Sequence, residues 1–596
     1  MIQIDRQMRY NRLLDEKQRF SEYDYVVVGA GASGAPIAMR LTENPDNYVL
    51  LLEAGGQQSV LSDIPGMAEV LIDNPEFDWR DPSVPQKYFT GGVMDTNNGK
   101  RLGGSSAING MIYNRGNRRD FDNWVYSYGA QGWSYEEVLP YFMKSENNSD
   151  RLVLANNPGF HGTQGPLRVS SDPRPAPLLA LWTQTLNELG IQSLDINGAN
   201  QLGTTVAQST AADGLRSSTA NAYIDPNPHS DNLNILVYSF VTKILFAQST
   251  HGPRAIGVEY LRDGIKHTVM ARKEVILCAG VVRTPQLLMV SGIGPGHHLT
   301  SLGIPVIADL PVGDNLQDHP AVSIHMVLKN PRLGGPGPQL SIEQMYQLWT
   351  TRSGPLAYAS DSITYINSQS NNQTDWPDLY FYTIVQNVLN LDSQVSEMWG
   401  NEQQLAEWRE YFRPYLGQFL TMTAPHVYRV QSWGSIRLQS SDMLVPPLID
   451  QGFLRHPNDR ALLIENIRFM FKLLLHSSFS QYVQPLAKPI PGCQFCPHGS
   501  SPSLYECTEY IDCLIRQTGK SGWHLVGGAR MGDPRRPDVV VDPRGRVKHV
   551  HGLRVCDSSI MPLLINANTY AASVMIGEKC ADMIKQDNGH NQHNYL

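Results

Sequence analysis

One stretch, "YDYVVVGAGASGAPIAMRLTENPDNYVLLLEAGG", constrains this chain more than any other. An apolar run from Tyr25 to Val28 reads as a buried strand, and a helical pattern follows from about Ala32 to Leu41. A second apolar run, Tyr48 to Leu52, ends in Glu53. Together they make a βαβ unit. Gly29, Gly31 and Gly34 stand between strand and helix in G-x-G-x-x-G spacing. The first permits the tight turn, the second lets a pyrophosphate approach the backbone, and the third lets helix and strand pack closely. The helix N-terminus adds positive potential. Glu53 sits where a carboxylate accepts hydrogen bonds from a ribose diol, and an acid there argues against a 2′-phosphate. Ala32, Ser33 and Ala54 flank these positions and join them as candidate cofactor contacts. The unit predicts a dinucleotide site in an α/β chain; it does not separate FAD from NAD.

Strand-like runs recur far downstream, at 233–247, 274–280 and 553–559, and a helical pattern covers 570–585. The Rossmann-like domain is therefore expected to be discontinuous, built from 22–150, 225–320 and 515–590. The insertions, 151–224 and 321–514, are expected to form a substrate-binding domain with an antiparallel sheet and helices, and 1–21 an N-terminal extension. Overall the fold class is α/β, or α+β across the whole chain. A 41% hydrophobic share over 596 residues suffices for a large core. The net charge of −8, without a Lys/Arg run, argues against nucleic acid as a partner. No apolar stretch reaches the length of a membrane span.

A second constellation is "NGKRLGGSSAINGMIYNRGNRRDFDNW" at 98–124. Its Gly-Gly-Ser-Ser run exposes backbone amides that can approach a cofactor, and the apolar "AINGMIY" after it does not suit a surface loop. This stretch resembles the first signature of the glucose–methanol–choline (GMC) flavin oxidoreductases. "CAGVVRTPQLLMVSGIGP" (278–295) resembles the second, and "DLPVGDNLQDHP" (309–320) and "VVDPRGRV…LRVCDSSIMP" (540–562) are similar to further family stretches. "GNRRDFDNW" looks most like the arthropod-type branch.

The resemblance implies FAD. Gly29, Gly31, Gly34 and Glu53 would hold its ADP half, and Val241 would meet the adenine. Arg101, Gly103, Gly104, Ser105, Asn109, Gly110, Met111 and Ile112 would lie along the flavin side, with Ala279 and Gly280 from the second signature. Asp557 and Ser558 would lie near the ribityl and pyrophosphate. Some family members attach FAD through a histidine before the motif asparagine; Ile108 stands there, so non-covalent FAD is expected. Val281 replaces a usual small residue, which implies local repacking.

"GWHLVGGARMG" (522–532) raises the chemical question. A lone histidine is more often structural than catalytic, and His524 has no HxxxH or HxH partner for a metal. The resemblance places His524 at the catalytic histidine, with Asn568 as its partner and Trp523 and Thr569 beside them. A base takes the alcohol proton while a hydride passes to flavin N5, and a second polar group fixes the oxygen. Trp523 and Tyr570 would wall an aromatic pocket or simply fill core. Gly528 replaces the threonine usual after Gly527, which removes a hydroxyl contact to the cofactor.

The resemblance implies oxidation of an alcohol, and insertions rich in Leu, Tyr, Trp and Phe favour an apolar or aromatic one, with a cyanohydrin such as mandelonitrile included, and O₂ reoxidation releasing H₂O₂. Alternatives are a dehydrogenase with another acceptor and another alcohol, such as a sugar or sterol, or a hydroxynitrile-lyase-like protein without net redox. Oligomeric state, monomer or dimer, is left open. Of seven cysteines, Cys493, Cys496, Cys507 and Cys513 crowd together. Two disulfides, in any of three connectivities, are favoured over a zinc site. Disulfides favour secretion of a mature chain that has lost its signal; a cytoplasmic protein is the alternative. N-x-S/T sequons occur at Asn147 and Asn372.

Overall fold

The computed structural model describes residues 20–589, except 91, 227–229, 251, 336, 338–340, 360, 396–401 and 497–505. Nearly all of the expected N-terminal extension thus lies outside the described residues.

The first sheet grows from the βαβ unit. Leu233–Leu236, Val49–Leu52, Glu22–Val28 and Ile265–Leu277 lie side by side in that order, all parallel. Leu553–Val555 adds in parallel to Ile265–Leu277. The latter also opens an antiparallel meander with Gly252–Arg262 and Phe240–Ser249. Val26, Val27, Leu51 and Ile276 are wholly buried, which fits a parallel sheet covered on both faces. Two boundaries differ from the sequence reading. The run at 233–247 is two strands, broken where Tyr238 takes a φ of 52°. The strand near 553 ends at Val555, and Asp557 caps a short 3₁₀ turn instead.

The N-terminal helix, Gly34–Leu41, lies against the C-terminal helix, Tyr570–Asp587. Gly577 makes the approach possible: a Cβ there would fall 2.6 Å from the Ser33 carbonyl oxygen. The Ser33 hydroxyl donates to the Ser573 carbonyl at 2.6 Å. Arg40 donates to both oxygens of buried Glu578 at 2.8 and 2.9 Å, and Tyr223 donates to the same carboxylate at 2.9 Å. A bidentate, buried pair of this kind fixes geometry better than a surface ion pair does. The start of the C-terminal helix, just after Asn568 and Thr569, is thereby registered on the dinucleotide motif.

The second sheet is antiparallel throughout. Val483–Pro485, Ile324–Leu328, Phe419–Val427, Leu379–Asn387, Ser362–Ile366 and Gly203–Val206 follow one another. Two short strands join it from the neighbouring segments: Pro320–Ala321 pairs with both Phe419–Val427 and Lys520–Ser521. The helix Pro457–His476 packs on this sheet, and buried Asn466 donates to the carbonyls of Tyr380 and His426 at 2.9 and 3.0 Å. Packing does not follow chain order alone. Leu167, Val169, Ile436 and Ile449 from the insertions join the first core.

Among the described residues no helix is long and apolar enough to cross a membrane. The four clustered cysteines form two disulfides, Cys493–Cys513 and Cys496–Cys507, and Cys278, Cys556 and Cys580 are free and buried. The nested bridges close loops separated by 20 and 11 residues. A loop of this size restricts the unfolded chain by about 3 kcal/mol. Reduction with a mild thiol should therefore lower the denaturant midpoint of the second sheet's unfolding, read by urea titration with and without reductant. An unchanged midpoint would mean that the bridges do not constrain folding.

Candidate active site

A cavity of about 1360 Å³ runs between the sheets. Single-ligand sites span roughly 300–1,000 Å³, so this one has room for a large cofactor and a second molecule. Its wall carries most of the expected contacts: Gly29, Gly31, Ala32, Ser33, Glu53 and Ala54 from the βαβ unit, and Gly104, Ser105, Asn109, Gly110, Met111 and Ile112 from the glycine-serine stretch. Val241, Ala279, Gly280, Trp523, His524, Asp557, Ser558, Asn568 and Thr569 complete it. Three expected residues stand off the wall. Gly34 is a packing residue, since a Cβ there would fall 1.9 Å from the Gly29 carbonyl oxygen. Gly103 donates its N–H to the Ala30 carbonyl at 2.9 Å and starts the short 3₁₀ turn Gly104–Ala107. Arg101 lays its guanidinium over the Phe77 ring, 3.5 Å from the centroid.

The wall suits a dinucleotide on its own terms. Gly29 has a φ of 99°, and Gly31 leaves backbone bare at the helix start. Gly110 and Gly280 face open space where a Cβ would protrude. Glu53 accepts from Ala30 N at 2.9 Å and from Gly55 N at 2.9 Å, which aims its carboxylate. Burial pushes its pKa up to about 7, and a ribose hydroxyl donor would favour the ionised form. Asp557 accepts from Gly280 N at 2.9 Å and from Thr284 Oγ1 at 2.7 Å, and so holds the start of helix Gly280–Val290 against the cavity.

His524 is built by pairing two distant segments. Gln317 and Val526 exchange backbone hydrogen bonds, both at 3.0 Å. Gly313 donates to the Gly528 carbonyl at 2.7 Å, and Gly528 donates to Asp314 at 3.1 Å. Beyond the Gln317–Val526 rung, Asp318 accepts from the His524 backbone N–H at 2.9 Å and from the Ser521 hydroxyl. Trp523 is turned to a φ of 58°, which throws the next side chain into the cavity. Such left-handed backbone at a bulky residue is rare and clusters at functional sites.

His524 Nε2 lies 2.9 Å from Asn568 Nδ2, so the two expected partners meet at the cavity wall. Burial alone holds the His524 pKa down, to about 3, so the ring is neutral. Sequence reasoning missed what stands behind it. His319 Nδ1 lies 3.0 Å from His524 Nδ1, and His426 is a third buried histidine nearby. The signal was present in "NLQDHP", read only as a family stretch. Tyr570 lines the cavity and donates to the Ser217 carbonyl at 3.2 Å.

Gly528 now has a reason. Its φ is 94°, and a Cβ would lie 2.8 Å from Pro285 Cγ. A glycine is required by backbone and space, independently of any cofactor contact. Gly528→Ala should cost about 1–3 kcal/mol in thermal or urea unfolding; loss of less than half a kcal/mol would mean that the turn relaxes.

GMC oxidoreductase family models match residues 23–321 and 430–577. Glucose dehydrogenase [FAD, quinone] of Drosophila melanogaster is 33% identical, across 95% of this chain and 87% of that protein. Ecdysone oxidase of Bombyx mori is 34% identical, across 96% and 82%. Among solved structures, an Aspergillus oryzae formate oxidase variant aligns with a TM-score of 0.82 at 25% identity, covering 95% of this chain and 98% of that one. Pyridoxine 4-oxidase from Mesorbium loti aligns at 0.77 and 25%, covering 96% and 100%. With the dinucleotide cradle, the paired His524 and Asn568 and matches along nearly the whole chain, this protein belongs to the GMC family of FAD-dependent alcohol oxidoreductases, alongside insect relatives.

Proposed function

We propose that this chain oxidises an uncharged alcohol of apolar or aromatic character, and that its electrons pass to O₂ with release of H₂O₂. The observation carrying this reading is the 2.9 Å pair of His524 Nε2 and Asn568 Nδ2 on the cavity wall. Bound FAD supplies the hydride acceptor. The chain's own part is to hold the alcohol oxygen between these two groups. Asn568 donates to the oxygen, and His524 Nε2 takes its proton. Tyr382, Ile384, Met422 and His426 line the cavity too. Burial holds His426 neutral at ordinary pH, so these four offer an uncharged surface that suits a neutral substrate, while Glu343, Asp361 and Lys520 supply charge elsewhere on the same wall.

Non-covalent FAD is supported by Ile108, which lines the cavity and offers no nitrogen for a bond. The oxidase reading draws support from ecdysone oxidase among the relatives. A quinone-type acceptor is the second reading, favoured by glucose dehydrogenase [FAD, quinone]. The insertions, which supply most of the second sheet, are read as the substrate side. The two disulfides support a secreted protein. Asn372 is exposed and open to glycosylation, whereas Asn147 is half-buried in a strand.

A panel of neutral alcohols, added without air and followed by flavin bleaching, tests the reading; admitting air and measuring peroxide then assigns the acceptor. His524→Ala should slow bleaching by about 10²–10⁴-fold while FAD stays bound, and full-rate bleaching would overturn the base role. The low pKa sets a pH profile. A folded pKa of about 3, below the ordinary 6.5, leaves the base unprotonated well below neutrality. Stability from this group is complete above the ordinary value and is lost as pH falls toward 3. kcat/KM should stay flat from about pH 7 to about pH 5; an acidic limb near 6.5 would show a solvated ring.

A further inference from the structure

The proton on His524 has one arrangement consistent with its neighbours. Asn114 Nδ2 donates to the Tyr365 hydroxyl at 2.5 Å and lies 3.5 Å from Asn568 Oδ1. That turns the Asn568 oxygen toward Asn114 and its NH₂ toward His524 Nε2. An NH₂ is only a donor, so Nε2 is the bare nitrogen of the ring. A neutral His524 then carries its hydrogen on Nδ1, which points at His319 Nδ1 at 3.0 Å. His319 Nδ1 is therefore an acceptor, and the His319 hydrogen sits on Nε2. The carbonyls of Tyr428 and Ile565 are the acceptors turned toward that ring, though neither completes a hydrogen bond of ordinary geometry to Nε2.

His319 is held to this task. Its ring is wholly buried and stacks on Tyr428 at 3.9 Å and 17°. Tyr428 stacks in turn on Tyr380 at 4.2 Å and 9°. The His319 backbone N–H donates to Asp318 at 2.8 Å, on the same carboxylate oxygen that accepts from the His524 backbone. Both imidazoles are thus fixed from one anchor, and their facing nitrogens can share one proton but cannot both carry one.

Resting on the base role proposed for His524, we propose that His319 is a positioning residue that locks His524 in the Nδ1–H tautomer and accepts a strengthened hydrogen bond when His524 Nε2 takes the alcohol proton. It fills with an uncharged ring the place that a carboxylate fills behind many catalytic histidines. The proton passes from the substrate oxygen to Nε2; no other bond forms or breaks at the pair. The imidazolium created is stabilised by a charge-assisted Nδ1–H···Nδ1 bond, and the histidine pair itself carries no charge until the alcohol delivers its proton.

Two measurements on the FAD-loaded protein test this. Histidine-selective ¹⁵N spectra, assigned with the His319→Phe and His524→Ala variants, should show His524 as the Nδ1–H form and His319 as the Nε2–H form. The reverse tautomers would overturn the inference. His319→Phe keeps the stack on Tyr428 and removes the acceptor, and it should lower kcat for flavin bleaching by about 10²–10⁴-fold with little change in KM. His319→Asn, whose Oδ1 replaces the accepting nitrogen, should recover at least about a tenth of the parental rate. A Phe variant as fast as the parent, or an Asn variant as slow as Phe, also overturns it. If the Phe variant fails to retain FAD, the parental spectra and the Asn variant decide. An inactive His524→Ala with a fully active His319→Phe would defeat this inference alone; an active His524→Ala would defeat the base role beneath it.

Discussion

The candidate active site depends on one carboxylate. Asp318 takes hydrogen bonds from the backbone of His319, the backbone of His524 and the hydroxyl of Ser521. Burial pushes its pKa up to about 6, and these donors pull the other way, toward the ionised form. Around it, residues 313–321 and 520–528 zip together through Gly313, Gln317 and the short strand pair. The antiparallel pair so formed bridges the sheets: Gly528 sits beside Pro285 of helix Gly280–Val290, while Ser521 belongs to the second sheet. Without this clasp neither Trp523 nor His524 has a defined direction.

The cofactor side was readable because it obeys local rules. Gly29, Gly31 and Glu53 announce themselves through strand, turn and helix periodicity, even though Gly104, Leu236 and Cys278 come from far along the chain to meet them. Asn568 was reachable only through family likeness, since its position comes from the C-terminal helix docking on Ser33 and Arg40. His319 was not read as functional at all. Its meaning lies in a 3.0 Å contact across 205 residues of sequence, and no periodicity or spacing encodes such a contact. Gly528 failed for the opposite reason: comparison with a family pattern suggested a missing contact, while its left-handed backbone and Pro285 supply a steric explanation. Disulfide pairing was equally closed to sequence, because four nearby cysteines admit three connectivities and only their distances in the fold single out Cys493–Cys513 and Cys496–Cys507.

The base role proposed for His524 asks for a group that stays neutral among buried rings. His319, His426 and His524 are all held below the ordinary histidine range by burial, and the first two also by the charge His524 would carry. Three imidazoles in one apolar pocket would be costly if any two were charged. Pairing nitrogen to nitrogen, with tyrosines stacked behind, makes the cluster compatible with its surroundings.

The clasp between residues 313–321 and 520–528 also bears on how the molecule assembles. Its two halves are separated by most of the second sheet, so they cannot meet until the intervening chain has been compacted. Contacts between such distant segments carry the largest loop-closure cost and form late. The dinucleotide strands can nucleate from the first fifty residues of the described chain, whereas His524, the proposed base, takes its place at the end of folding. A partly folded chain would thus be able to cradle a nucleotide before it could abstract a proton, and reactivity would appear only once both halves of the molecule were complete.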